Sequence, residues 1–148
     1  MKRGNIIYLT KRVEFSASHR YYQPKFNQTE NERIFGKCSW PHGHGHNYTL
    51  EVTISGSVDP ITGMVMNIRE LKRILKNVVE KLDHRFLNLD ISQFKKKVPT
   101  TENIACVIWE MIQGKYPNLS LSRIRLWEGD GLYVEYFGDK TNSFDSKL

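Results

Sequence analysis

Three of the five histidines fall in His42-Gly43-His44-Gly45-His46, shortly after Cys38, one of only two cysteines. Along an extended backbone alternate side chains share a face, so His44 and His46 point the same way and their imidazoles converge. Gly43 and Gly45 add no competing side chain and let the backbone turn tightly beside an ion. The chemistry this favours is metal ligation, and the third ligand it calls for is His19. That residue ends the strand-like run from Val13, and pairing this run with the one that begins at His46 brings three rings together. Neutral imidazoles suit Zn2+, and three protein ligands with an open fourth position form the catalytic arrangement, whereas structural sites are closed by four. A His-Gly repeat is also the pattern of a loop that takes up metal adventitiously, and spacing alone leaves both readings open.

Other residues nearby could also do chemistry. Cys38 lies six positions before His44, and a thiol beside a metal or imidazolium loses its proton easily enough to act as a base at neutral pH. Its polar neighbours Lys37 and Ser39 favour that role over burial, whereas Cys106, beside Val107 and Ile108, reads as packing. Asp83-His84 sets a carboxylate against an imidazole, a pairing suited to acid-base work and equally consistent with a solvated helix end. Glu128, at the tip of a final hairpin, can accept two N–H donors from a flat heterocycle or simply face water.

The elements that must position these groups follow from periodicity. Ile7 to Phe15 alternates with a period of two, with Lys11 out of place, and Asn47 to Val58 alternates more cleanly; both are predicted strands. Arg20 to Trp40 is polar, is broken by prolines and reads as a long connection that covers or lines a site. Asn67 caps a predicted helix with apolar positions Ile68, Leu71, Ile74, Leu75, Val78, Val79 and Leu82. Pro99-Thr100-Thr101-Glu102 opens a second helix with Ile104, Val107, Ile108, Met111 and Ile112 as its buried stripe. Leu121 to Trp127 and Leu132 to Phe137 are predicted strands joined by Gly129-Asp130-Gly131. The order ββααββ implies an α+β domain, an antiparallel four-stranded sheet with two helices on one face, and outer strands whose open edges favour joining to another subunit.

At 148 residues the protein has room for one domain, expected over 1–138, followed by a polar, loose tail over 139–148. Hydrophobic content of 39% and charged content of 26% fit a soluble protein. No apolar run approaches the roughly 18 residues of a membrane span, and the basic N-terminus lacks the apolar stretch of a signal peptide. A cytoplasmic protein with two free thiols is therefore expected, with no membrane partner. The net charge of +6 is scattered over Arg69, Lys72, Arg73, Lys76 and Lys81, with a run at Lys95-Lys96-Lys97. No aromatics interleave with it, so it reads as a solvated face and not as a nucleic-acid surface.

Taken together, FSASH at Phe15 to His19, FGKC at Phe35 to Cys38, HGHNY at His44 to Tyr48, DPITGMVMN at Asp59 to Asn67, LDH at Leu82 to His84 and TTEN at Thr100 to Asn103, with Glu128, resemble the 6-pyruvoyl-tetrahydropterin synthase family. The resemblance covers nearly the whole sequence, in order and with short gaps. It implies the tunnelling fold, in which such domains join through their sheets into barrels, here a homohexamer of two trimers. It also implies zinc at His19, His44 and His46, Cys38 as the proton-abstracting group, and Asp83 and His84 as acid-base partners across a subunit boundary. Glu128 would anchor the pterin ring, with Thr100 and Thr101 lining its pocket. The implied reaction is a lyase conversion of 7,8-dihydroneopterin triphosphate to 6-pyruvoyl-tetrahydropterin with loss of triphosphate, an internal redox without nicotinamide.

His42 departs from this pattern. It puts Cys38 four residues before a His-Gly-His pair, a spacing that resembles 6-carboxytetrahydropterin synthase of the 7-deazaguanine (queuosine) route, with the same fold and metal. Asn47-Tyr48 and the agreement from Asp59 to Asn67 favour His44 and His46 as ligands, and with them the pyruvoyl product. A non-catalytic pterin-binding module is a further alternative, against which the intact set of Cys38, Asp83 and His84 counts.

Overall fold

The computed structural model describes residues 4–139, so the tail expected over 139–148 lies, apart from Asp139, outside the described residues. Strand β1 (Ile7–His19) pairs antiparallel with β2 (His44–Gly56), from Ile7 opposite Gly56 to His19 opposite His44. β4 (Leu121–Glu128) adds antiparallel to β2, and β5 (Leu132–Tyr136) adds to β4. Both central strands run further than their cleanest alternation. β1 continues through Ala17 to His19, and β2 starts at His44, so all three candidate ligands stand on strands.

The expected four-stranded antiparallel sheet is in fact five-stranded and mixed, in the order β3-β1-β2-β4-β5. The added strand, β3 (Arg85–Phe86), runs parallel to β1 at Ala17 and Ser18. It forms because α2 (Ile68–Leu82) ends in a turn tied to β1: Ser16 N–H donates to the Asp83 carboxylate at 2.9 Å, and His84 N–H donates to the Ser16 carbonyl at 2.6 Å. His84 sits at φ 58, a left-handed conformation uncommon outside glycine, and this reverses the backbone so that it runs beside β1.

Among the described residues there are four α-helices where two were expected. α1 (Gln28–Phe35) lies inside the expected long connection, capped by Asn27, whose side chain accepts from Glu30 N–H while the Glu30 carboxylate accepts from Asn27 N–H. A 3₁₀ turn, Gly36–Ser39, follows and carries Cys38. After β3 come α3 (Leu87–Asp90) and a second 3₁₀ turn, Ser92–Lys95. The other long helix, α4 (Thr101–Lys115), is capped by Thr100, whose hydroxyl accepts from Asn103 N–H.

The core lies between one face of the sheet and the two long helices. Phe15, Tyr48, Leu50, Val52, Ile124 and Leu126 meet Leu71, Ile74, Leu75 and Val78 of α2 and Ile104, Ile108 and Ile112 of α4. Ile68, expected in the buried stripe, is 37% exposed because it opens α2 at the edge of this layer. On the other face Glu51, Arg123, Arg125 and Glu135 form a half-buried ion-pair network, with Arg125 2.8 Å from Glu135. No helix among the described residues is long and apolar enough to cross a membrane.

Candidate metal centre

The antiparallel register accounts for the convergence. His19 stands opposite His44 and Ala17 opposite His46, so the three rings share the helix-covered face at one end of the sheet. One nitrogen from each ring lies within 4.8 Å of those of the other two, a grouping that can hold a metal ion. His19 Nε2 and His44 Nε2 are 3.2 Å apart. His42 stays outside the cluster and is exposed. Gly43, at φ 69, makes the entry to β2 possible: a Cβ there would meet the His19 carbonyl oxygen at 2.7 Å and the Phe86 ring at 2.8 Å.

His19 is fully buried, and burial, followed by the neighbouring His44 and His46, depresses its pKa to about 4 against the opposing effects of Pro99 and Glu128. It is therefore neutral at physiological pH. Its Nδ1 lies 2.8 Å from the Pro99 carbonyl, which can only accept, so Nδ1 carries the proton and Nε2 turns a lone pair toward the cluster. The Tyr48 hydroxyl lies 3.2 Å from the same Nδ1, and burial raises its pKa. His44 is likewise shifted down, by burial first and His46 second.

His46 supplies the clearest sign of a missing partner. Its Nε2 is buried and makes no hydrogen bond. The Glu128 carboxylate oxygen 3.2 Å away is close enough for charge attraction but lies off the direction a hydrogen bond requires. An orphaned imidazole nitrogen aimed at two other imidazoles fits a bound cation, and the all-nitrogen donor set fits zinc among the common divalent ions.

Glu128 joins the site through register. It ends β4 opposite Tyr48, on the same face as Leu126 and Ile124, and is not at the hairpin tip. Its other carboxylate oxygen accepts from the Thr101 hydroxyl, and Thr101 is buried at the start of α4. Of the two threonines, only Thr101 thus reaches this carboxylate; Thr100 serves as the cap. Tyr21, which periodicity did not single out, sets its ring edge-on 5.0 Å from His19. Burial, then the Glu128 charge, pushes its pKa up to about 12.

Cys38 and the Asp83-His84 pair stand on other elements, the first 3₁₀ turn and the end of α2. Asp83 and His84 bond each other at 2.9 Å, and the His84 side chain is 82% exposed. Ser16, first, and His84 hold the Asp83 carboxyl below its ordinary pKa. The Cys38 carbonyl accepts from Tyr21 N–H at 2.8 Å. Among the described residues no hydrogen bond or ion pair links the Cys38 thiol or His84 to the three imidazoles. Cys106 is half-buried and free, with its pKa raised by burial, as packing on α4 predicts.

Fold and site together define an α+β protein with three histidines on paired strands placed so that they can hold a metal ion. The family model for 6-pyruvoyl tetrahydropterin synthase matches residues 8–139. The 6-pyruvoyl tetrahydrobiopterin synthase of Pongo abelii is 44% identical over 132 residues, 88% of this protein and 91% of that one. The enzyme of the same name from Dictyostelium discoideum is 44% identical over 136 residues, 90% and 97% of the two sequences. The solved structure of Caenorhabditis elegans 6-pyruvoyl tetrahydropterin synthase superposes with a TM-score of 0.89 at 35% identity, covering 94% of this protein and all of that one. The protein belongs to the 6-pyruvoyl tetrahydropterin synthase family.

Proposed function

We propose that this protein is a zinc-dependent lyase that converts 7,8-dihydroneopterin triphosphate to 6-pyruvoyl-tetrahydropterin and releases triphosphate. The observation that carries this reading is the orphaned, buried His46 Nε2 aimed at His19 and His44, with the Glu128 carboxylate beside it. A zinc ion held by the three imidazoles supplies Lewis acidity to the hydroxyls of the substrate's side arm. Glu128, oriented by Thr101, accepts N–H donors of the pterin ring, and Thr100 borders the same pocket. Cys38 as thiolate removes a proton from a carbon of that arm, and His84, oriented by Asp83, returns protons to carbon or oxygen. The C–O bond to triphosphate breaks and its electron pair leaves with the anion. One alcohol of the arm is oxidised to a ketone as the dihydropterin ring gains two hydrogens; the other becomes a ketone as triphosphate leaves and the carbon that carried it is reduced to a methyl group, so no external oxidant is needed.

The Asp83-His84 pair is tied to β1 and the His84 side chain is exposed, which supports a site completed by a second subunit. Ile7, Tyr8 and Leu132 are exposed on β5 and on the length of β1 that the two-residue β3 leaves uncovered, where sheets can join edge to edge into a barrel, and a homohexamer of two trimers closes those edges. Free Cys38 and Cys106 suit a reducing cytoplasm. Because His42 lies outside the cluster, His44 and His46 are the ligand pair, the spacing that favours the pyruvoyl over the carboxy product. Incubation with 7,8-dihydroneopterin triphosphate and product identification by mass tests the reading, with loss of turnover but not of zinc expected in Cys38→Ala. Full turnover by metal-depleted protein would overturn it.

A further inference from the structure

Asn88 has no part in the chemistry above, but its side chain grips the segment next to His19. From Ser16 onward the outer edge of β1 is satisfied by the segment that follows α2: Ser16 by Asp83 and His84, Ala17 and Ser18 by β3, and Arg20 by the Asn88 side chain. Arg20 N–H donates to the Asn88 amide oxygen, and the Arg20 carbonyl accepts from the Asn88 amide nitrogen, both at 2.8 Å. A carboxamide offers a donor and an acceptor side by side, so Asn88 serves here as one more peptide group of β3. It is held from behind: Leu87 is fully buried, and Phe86 N–H donates to the Asp90 carboxylate at 2.8 Å.

One residue further on, an extended backbone turns its polar groups to the opposite edge. There Tyr21 N–H donates to the Cys38 carbonyl at 2.8 Å. The Arg20 side chain reaches the same turn, its Nε donating to the Ser39 carbonyl at 2.6 Å while its guanidinium rests 4.0 Å over the Tyr22 ring. Ser39 is buried, and its hydroxyl donates to the Gly36 carbonyl at 2.7 Å, closing the turn on itself. The turn Gly36–Ser39 belongs to no sheet. Cys38 and Ser39 are therefore tied to the end of β1 through Tyr21 and Arg20, and Asn88 fixes that segment from its other side.

We propose that Asn88 is a positioning residue for Cys38, acting through the Arg20-Tyr21 segment to set where the Cys38 turn stands relative to the three-histidine cluster. The inference rests on the reading of Cys38 as the proton-abstracting group and adds a residue that acts on it at one remove. A proton is taken over about 3 Å, so displacing the thiol by about 1 Å lowers turnover by about 100-fold while the contacts that bind substrate and metal stay in place. Residues 83–88 then serve both protic groups: Asp83 orients His84, and Asn88 orients Cys38.

The test measures kcat and KM for 7,8-dihydroneopterin triphosphate in the metal-loaded protein, well below the melting transition of each variant. Zinc content is measured by elemental analysis, and hydrogen exchange by mass spectrometry in the peptides that carry the Tyr21 and Trp40 amides. The natural sequence is compared with Asn88→Leu, which keeps the volume and loses both bonds, and with Asn88→Asp, which keeps the acceptor for Arg20 N–H. Asn77→Leu, which removes an amide bond to Tyr116 elsewhere, is the control. Asn88→Leu is expected to lose roughly 10- to 100-fold in kcat with KM and zinc content little changed, and to exchange the Tyr21 and Trp40 amides faster. Asn88→Asp should fall between it and the natural protein, and decides the matter alone should Asn88→Leu not fold; Asn77→Leu should keep its kcat. Unchanged kcat in Asn88→Leu, or a loss matched by Asn77→Leu or by loss of zinc, would overturn the inference and leave the reaction standing. A natural protein that turns over none of this substrate would sink the reaction instead. The exchange rates then decide the brace, and equal rates in Asn88→Leu and the natural protein would end it.

Discussion

The depressed pKa of His19 makes the metal-free protein sensitive to acid in a defined window. In the unfolded state this imidazole takes up its proton around pH 6.5; in the folded state it does so only near pH 4, because the ring is fully buried. Between those values the unfolded state binds more protons, so stability falls as pH falls, and below about pH 4 the contribution is complete. A fall from 6.5 to about 4 corresponds to about 3 kcal/mol at full expression, and to about 2 kcal/mol at pH 5. The assay is urea denaturation of chelator-treated protein from about pH 7 down to about pH 5, compared with His19→Asn. Asparagine keeps a donor for the Pro99 carbonyl but has no proton to gain. The natural protein should therefore lose about 2 kcal/mol more than the variant over this range. Parallel pH slopes in the two proteins would refute the claim that a buried neutral imidazole faces the cluster. Zinc should remove the slope by occupying Nε2, with its own affinity declining as the rings protonate.

Gly43→Ala forces a Cβ onto the His19 carbonyl at a left-handed φ; it should cost about 2–3 kcal/mol, seen in thermal melts, and lower metal occupancy measured by elemental analysis. Glu128→Gln keeps the bond to Thr101 but loses the charge. KM should rise on the order of 10-fold or more with bound metal unchanged, and the opposite pattern would make Glu128 a metal-site residue. Cys38→Ala and His84→Ala, each inactive alone, should regain activity when unfolded together and refolded as mixed oligomers; mixtures that stay inactive would put both groups in one subunit's site.

The three-histidine cluster was legible because a strand is a ruler with a period of two. Once His44 and His46 share a face and β1 pairs antiparallel with β2, His19 has one place to go, and Tyr48 follows by the same count. The helices α2 and α4 were legible from their apolar stripes. What escaped lacks such a stripe. In α1 only Ile34 and Phe35 are apolar, and the sign that remained was the Asn27-to-Glu30 capping box, which a search for apolar spacing passes over. β3 is two residues long, and its pairing depends on the bonds from Ser16 to Asp83 and His84, contacts that span 67 positions or more and that no local pattern records. Glu128 was misplaced by a single residue at the end of β4, enough to separate a hairpin tip from the metal-facing side of a sheet.

That geometry also bears on the proposed assembly of more than one subunit. The cluster sits on the helix-covered face, enclosed by Tyr21, Tyr48 and Pro99, while the Asp83-His84 pair is fixed to the outer edge of β1 with its imidazole in solvent. An acid-base pair that only relayed protons within its own subunit would face the substrate, and its exposure would lower its efficiency by leaving it to bulk water. The bonds that hold Asp83 to Ser16 fix the direction of His84 outward, the direction that the proposed site shared between subunits requires. In that arrangement dissociation of the subunits would abolish turnover while leaving zinc bound, a separation of the two properties that a self-contained site would not produce.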